Sequence, residues 1–579
     1  MNNTVLPGVY IKSEAPPLKP LALDRRTVAG FVGVTEKGPL DMPVKLTSFN
    51  QFLRVFGGFE SGGYLAHSIY GFFNSGGEEC YAVRVAHQKG DNCIATATLT
   101  LRNTNNQSFS SIRAHSPGIW GNRIAIKLWH GVDHSYRTDE YDRKSGRWIT
   151  VDTNKFKGAE YLGVWIDGEK QIRKVNKITE DKLYFSTPLR LKDGIQELLI
   201  EELYINVQIE KDKEREDFLF LSTNPQSDRY LPRIINGTSR FITIDEDISG
   251  FPLEQSYAHL EKGRNGLVNL TAGDFIGYFN GLDNNSGLGH LEAFSEIRLV
   301  AIPDVALFEQ IYNNNKDEYE KMTRAVQQAM VDQCERLKDR FALLDGPDLD
   351  SELALMKWSG QYDTKYAAAY FPHIEILDPT DANGVRTLFI PPSGHVAGVY
   401  ATADKKHGLH HSPANFTIPG GVGLKQARSD DQLGMLYETG LNPIKSIPGR
   451  GIKVWGARTL SHDTEWKFIN VCRTFDRISS AIRKGTGWVV FEPNDNKLRK
   501  RVIRYISAFM IDLWHKGILA GTTAEDGFYV QCDNELNPPE NIDSGVLTTR
   551  IGIAISKPAE FINITLHASK DDSNVVIED

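Results

Sequence analysis

The chain has 579 residues, 40% of them hydrophobic and 24% charged, which excludes a disordered or fibrous polymer and leaves ample length for several domains. Lys and Arg total 66 against 74 Asp and Glu, a formal net charge of −8, so electrostatics gives no reason to expect nucleic-acid binding. The five cysteines, Cys80, Cys93, Cys334, Cys472 and Cys532, are odd in number and form no C-x-x-C pair, which excludes a disulfide framework and a zinc module.

Met1–Pro7 lacks a basic stretch leading into an apolar one, so no secretory signal is expected, and no apolar run reaches the ~20 residues of a membrane span. Thr4–Ile11 is β-rich and is followed by the proline-rich tether Ala15–Pro20. At ~3.3 Å per residue, about twenty such residues reach about 65 Å. Both a strand packed on its own domain and an arm pairing with another subunit fit this pattern.

Val28–Val34 reads as a buried strand, Ser48–Phe56 and Tyr64–Phe73 as helices, and Cys80–Val85 as a second strand, the rhythm of an α/β layer. From about residue 92 to 250 the chain turns β-rich. Thr96–Arg102, Ile124–Trp129, Tyr161–Ile166, Lys182–Phe185 and Leu203–Ile209 read as strands, and the mixed-sign run Glu210–Asp217 reads as a solvated turn.

The α/β rhythm returns near 265. Strand Ile297–Ile302, helix Lys316–Leu337 and strand Phe341–Leu344 predict a right-handed parallel crossover, with Met322, Val326, Ala329, Met330 and Leu337 on one helix face. Gly346–Gly449, rich in Gly and Pro, reads as mostly loop. Beyond it come strand Ile452–Val454, a helix over Asp463–Lys484 closed by Gly485, strand Trp488–Phe491 and a helix over Leu498–Lys516 with Val502, Ile506, Phe509 and Leu513 inward. Phe528–Cys532 and Leu547–Ile555 are further strands. A last strand, Glu560–His567, alternates Ile562, Ile564 and Leu566 with polar residues, and the apolar triplet Val575, Val576 and Ile577 lies almost at the end.

Signatures of chemistry are sparse. No phosphate-binding loop, H-E-x-x-H or EF-hand spacing is present. His407, His410 and His411 lie among Pro and Gly with no carboxylate at metal spacing. Ser393 and His395 do not form a nucleophile elbow. Asp304 follows a strand end, where an active-site acid and a turn residue are equally at home. The cluster Lys497, Arg499, Lys500, Arg501 and Arg504 stands at a helix start, the end that favours negative charge, so a nearby anion is expected to ease it. Either solvated surface charge or an acidic partner surface accounts for it. No cofactor or metal is expected.

Six segments in order carry a resemblance. They are Pro7–Tyr10; Ser116–Asn122; Pro391–Gly398 with Ala401, Asp404, Gly408 and Ser412–Asn415; Gly451–Thr459; Phe491–Asn494; and Pro558–Phe561. Together they resemble the sheath proteins of contractile phage tails and related injection systems. The likeness is thinnest in the β-rich insertion, which carries the Trp120 segment and Ser222–Tyr230.

The resemblance implies an α/β (α+β overall) structural polymer and no enzyme. Copies stack as six-fold rings around an inner tube and contract to drive it through a target envelope. Baseplate and terminator proteins stand at the ends, with neither nucleic acid bound nor membrane inserted. The particle is expected to assemble in the bacterial cytoplasm.

On this reading residues 1–25 are a donor arm, 26–91 and 251–450 the sheath core, 92–250 an outer insertion, 451–567 an assembly domain and 568–579 a second arm. Val5, Leu6, Val9, Tyr10, Ile11, Ile562, Ile564, Leu566, Val575, Val576 and Ile577 are then the strand-exchange candidates, paired with the C-terminal sheets of neighbours. Lys497, Arg499, Lys500, Arg501 and Arg504 are the tube-attachment candidates, although the preceding helix also offers Lys467, Arg473, Arg477, Arg483 and Lys484. A host-surface binding module and an α/β hydrolase are the alternatives.

Overall fold

A computed structural model describes residues 20–24, 26–59, 62–156, 158–192, 194–280, 285–381, 383–560, 565–567 and 576–578. Its centre is an eight-stranded sheet. Six adjacent strands run parallel, in the order Cys80–Arg84, Val28–Gly33, Ile297–Ala301, Phe341–Asp345, Ala367–Phe371 and Leu441–Ile447. Antiparallel strands Pro43–Leu46 and Gly451–Val454 close its edges. The parallel strands read as continuous apolar runs because helices cover both faces.

On one face lies α1 (Lys316–Leu337), which buries Val326, Met330 and Cys334; Met322 and Ala329 pack beside them as the periodicity requires. Asn315 caps α1, accepting from the Glu318 amide at 3.2 Å. On the other face lie Leu65–Asn74 and α2 (Ser393–Lys406).

Helix α2 corrects the loop reading of 346–449. Its glycines serve helix contact rather than turns: a Cβ on Gly398 would stand 2.5 Å from the Phe72 carbonyl, and one on Gly394 would strike Ser68. Strands Ala367–Phe371, Ile374–Leu377, Thr387–Ile390 and Gly421–Leu424 and helix Asp430–Glu438 fill the same stretch.

A second eight-stranded sheet, wholly antiparallel, is built from residues 124–259 around the long strands Ile124–Thr138 and Leu198–Lys211. The charged run Glu210–Asp217 forms the tip of a hairpin in which Lys211 faces Glu214. A three-stranded sheet of Thr98–Arg102, Ser108–Ala114 and Ile242–Ile244 packs with part of it.

The C-terminal region holds α3 (Ile469–Gly485) and α4 (Asn496–His515), which pack through Val471, Ile478, Val502, Ile506, Phe509 and Leu513. Helix α3 starts later than the sequence suggests. Asp463 instead caps a short 3-10 turn, Thr464–Trp466, accepting from the Glu465 amide at 2.9 Å. Trp488–Phe491, expected as a strand, is a 3-10 turn over Gly487–Val489 followed by an exposed tip. Phe491 adopts φ 70°, which no strand residue does. No helix among the described residues is long and apolar enough to cross a membrane.

Candidate assembly surfaces

The residues that suggested chemistry are structural. Asp304 is fully buried and accepts from the backbone amides of Val34 (2.6 Å) and Tyr64, which ties the end of one parallel strand to the start of the Leu65–Asn74 helix. Gly33 makes room for it, since a Cβ there would collide with the carboxylate. Burial raises the Asp304 pKa to about 7 against these amide bonds.

Ser393 donates its hydroxyl to Asp345 at 2.6 Å and its amide at 2.8 Å, so the pair caps α2 inside the core. His395 is buried, its pKa pushed down to about 4 by burial, and its Nδ1 has no hydrogen-bond partner. Thus Ser393 and His395 do not meet as nucleophile and base. His407 stacks on His411 at 4.6 Å, outside any gathering of metal ligands. Among the described residues the His, Cys, Asp and Glu side chains whose ligand atoms lie within 4.8 Å of one another are Asp133, His134 and Glu202.

The C-terminal region carries an unfinished sheet. Phe528–Gln531 and Arg550–Ile553 pair antiparallel, and among the described residues neither strand has a second partner strand. A two-stranded ribbon is marginal alone, and its free edges are ready to accept a strand. Beside it, Phe475, Ile478 and Ile482 of α3 with Ile551 and Ile553 line an open cleft of about 260 Å³.

Of the strand-exchange candidates, Val5, Leu6, Val9, Tyr10, Ile11, Ile562, Ile564 and Val575 lie outside the described residues. Leu566 lies in strand Thr565–His567 and Val576 and Ile577 in strand Val576–Glu578; these two strands pair with each other, Leu566 opposite Ile577.

The basic helix start resolves into two classes. Lys497, Lys500, Arg501 and Arg504 are exposed on α4, and Arg501 also lies 4.3 Å over the Trp488 ring. Arg499 is a correction: the helical period turns it inward beside Leu498 and Val502, where it is 6% exposed and donates to Asn534 Oδ1 at 2.8 Å. The anion that such a helix start calls for is within the chain. Asp495 caps α4, accepting from the amides of Lys497 (2.9 Å) and Leu498 (2.7 Å).

The rival helix α3 turns Arg473 and Arg477 inward. Arg473 forms a buried ion pair with Asp404. Arg477 donates to the carbonyls of Asp24 (3.3 Å) and Arg26 (2.9 Å), and burial, with Arg298 and Arg473 nearby, lowers its pKa to about 9. Arg483 and Lys484 at its end are exposed.

Residues 313–460 match the phage tail sheath protein central domain, and residues 461–569 the phage tail sheath C-terminal domain. Residues 313–569 thus consist of two domains of the phage tail sheath type. The chain is 28% identical over 250 residues to a prophage major tail sheath protein of Pseudomonas aeruginosa, covering 42% of this chain and 62% of that one. It is 29% identical over 199 residues to the tail sheath protein of Burkholderia phage BcepMu, covering 33% and 40%. The matched stretches thus span less than two thirds of these relatives' lengths.

The fold is shared with the helical sheath of the anti-feeding prophage in its contracted state, at TM-score 0.53 and 19% identity over 98% of this chain and 100% of that one. It is also shared with a sheath tail protein of Desulfitobacterium hafniense, at TM-score 0.53 and 11% identity over 91% and 94%.

In this chain one surface escaped sequence reasoning. Phe491 is fully exposed, Val490 is 63% exposed, and Asn494 Nδ2 joins their loop to the carbonyl of exposed Val546 at 3.1 Å. This apolar tip immediately precedes α4, whose Arg501 lies over the Trp488 ring. The run Trp488–Phe491 looked like core because apolar composition is what strands and exposed contact tips have in common.

Proposed function

We propose that the chain is the structural subunit of a contractile sheath. It polymerises head-to-tail as stacked six-fold rings around an inner tube and contracts to drive that tube through a target envelope. The observation that carries this reading is the two-stranded ribbon, whose outer edges have no partner strand among the described residues, beside an apolar cleft, in a chain whose two termini are β-rich in sequence. Strands donated by neighbours complete the ribbon through main-chain hydrogen bonds, and the pairing survives while the bodies rotate. A donor and an acceptor on different surfaces make each contact heterologous, which generates an open helical polymer.

The exposed face of α4, with Lys497, Lys500, Arg501 and Arg504, meets an acidic surface of the tube, and the Phe491 tip seats beside it. Baseplate and terminator proteins close the polymer ends in a phage tail or phage-tail-like particle. Negative-stain microscopy of the expressed protein tests the reading: long hollow tubes are expected, and compact particles alone would overturn it.

The tip supplies a separate test. Phe491 holds a left-handed φ of 70° with its ring in solvent, a conformation that costs a non-glycine residue about 1–2 kcal/mol. The variant Phe491→Gly should therefore melt no lower than the parent chain while co-assembling less well with tubes. Opposite movement of stability and assembly is the signature of a contact residue; a lowered melting temperature with intact co-assembly would instead mark it as part of the fold.

A further inference from the structure

Glu560, which ends the continuous described stretch 383–560, is held by two side chains from the core. Arg458 donates Nη2 at 2.6 Å and Nε at 3.1 Å to its carboxylate, and Tyr437 donates its hydroxyl at 2.5 Å. The Arg458 guanidinium stacks on the Tyr437 ring at 3.9 Å and donates Nη1 to the Tyr437 carbonyl at 3.2 Å. The pair is largely shielded, with side-chain exposures of 6% for Arg458 and 14% for Glu560.

Arg458 is itself bolted down. Asn442, on strand Leu441–Ile447 of the central sheet, accepts from the Arg458 amide and donates to its carbonyl, both at 2.7 Å, and donates to the Ala369 carbonyl of the adjacent strand at 3.1 Å. A bidentate guanidinium–carboxylate contact with a third donor is a directional fixture, unlike a surface ion pair. Burial works against the charged carboxyl, but the bonds from Arg458 and Tyr437 hold its pKa below the ordinary glutamate value.

The route of the chain gives this fixture its meaning. After strand Arg550–Ile553 the backbone leaves the two-stranded ribbon, is met by Asn470 at the Ser556 carbonyl (3.0 Å), and reaches the central sheet at Glu560. The arm therefore departs from the rigid body of the subunit and not from its smallest sheet.

We propose that Arg458, Tyr437 and Glu560 form the anchor of the C-terminal arm, fixing where the donor strand leaves the subunit and passing tension between neighbouring copies into the central parallel sheet. The proposal rests on the strand-exchange reading above and names the positioning residues for it. With the clamp intact, the segment leading to the donor strand is fixed at residue 560. With it broken, the tether lengthens back toward Ser556, the exit direction is lost, and the effective concentration of the donor strand at its neighbour falls.

The test compares full-length wild type with Glu560→Gln, Arg458→Lys and Lys557→Ala. The last removes an exposed pair with Glu465 at 3.5 Å beside the clamp and serves as control. Arg458→Lys keeps the charge but loses the fork. Both clamp variants should raise the protein concentration needed for sheath formation by at least about tenfold, while the control leaves it unchanged.

Hydrogen exchange on the unassembled chains should quicken over residues 556–567 in the clamp variants, with 367–371 and 441–447 still protected. Clamp variants that assemble at the wild-type concentration would overturn the anchor, as would unchanged exchange over 556–567. If wild type itself never assembles, the sheath reading fails, and the exchange result alone decides whether the clamp holds the arm root.

Discussion

Removal of residues 1–19 leaves a folded monomer that forms no sheath. The cut is placed by the structure. Leu21 and Leu23 pack against the C-terminal core with α3 and α4, and Arg477 grips the carbonyls of Asp24 and Arg26, so the strap from residue 20 onward belongs to the fold. What is lost is the β-rich Thr4–Ile11 and its proline tether. A donated strand making about five main-chain hydrogen bonds at ~1 kcal/mol net contributes roughly 5 kcal/mol per contact. In a helical polymer every subunit gives and receives such strands, so the loss recurs at each joint. The melting temperature of the shortened chain should match that of the full chain, while microscopy shows no tubes. Normal sheaths from the shortened chain would remove the N-terminal arm from the assembly.

Reversing three exposed charges, Lys497→Glu, Lys500→Glu and Arg504→Glu together, abolishes co-sedimentation with tubes at low ionic strength and leaves the subunit folded. Stability is safe for two reasons. The apolar face of α4, with Val502, Ile506, Phe509 and Leu513, is untouched. Acidic residues near a helix N-terminus also suit its dipole better than the lysines they replace. Each exposed pair contributes only ~0.2–1 kcal/mol, but reversal turns attraction into repulsion at three positions on every copy. Salt should narrow the gap between variant and wild type, because such contacts are screened over about 10 Å at ordinary ionic strength. Arg499→Glu behaves differently: it buries an acid where a guanidinium now serves Asn534, so it lowers the melting temperature. Undiminished co-sedimentation of the triple variant would place the tube contact elsewhere.

The contrast between Arg499 and Lys500 shows where sequence reasoning stops. Composition marks both as basic residues at a helix start; the period that places Val502 and Ile506 on the inner face carries Arg499 there too, and Asn534, thirty-five residues later, supplies the acceptor that lets a guanidinium be buried. In the same way the periodic apolar positions of Lys316–Leu337 and the apolar runs at 28–33, 80–84, 297–301 and 341–345 are legible because a helix or strand buried by its neighbours must carry such a pattern. Gly394 and Gly398 were misleading because glycine permits a turn and a close helix contact alike, and only the helix at 65–74 selects between them.

The sequence by itself determined the likeness to tail sheath proteins, the α/β rhythm of the body and the β-rich character of 92–250, since each is written in local periodicity or in ordered short segments. The tertiary structure alone decided which cations face outward, that the apolar Val490 and Phe491 lie in solvent, and that Glu560 returns to the central sheet. Those outcomes depend on partners brought together from distant parts of the chain, and exposure is a property of that meeting rather than of any residue on its own.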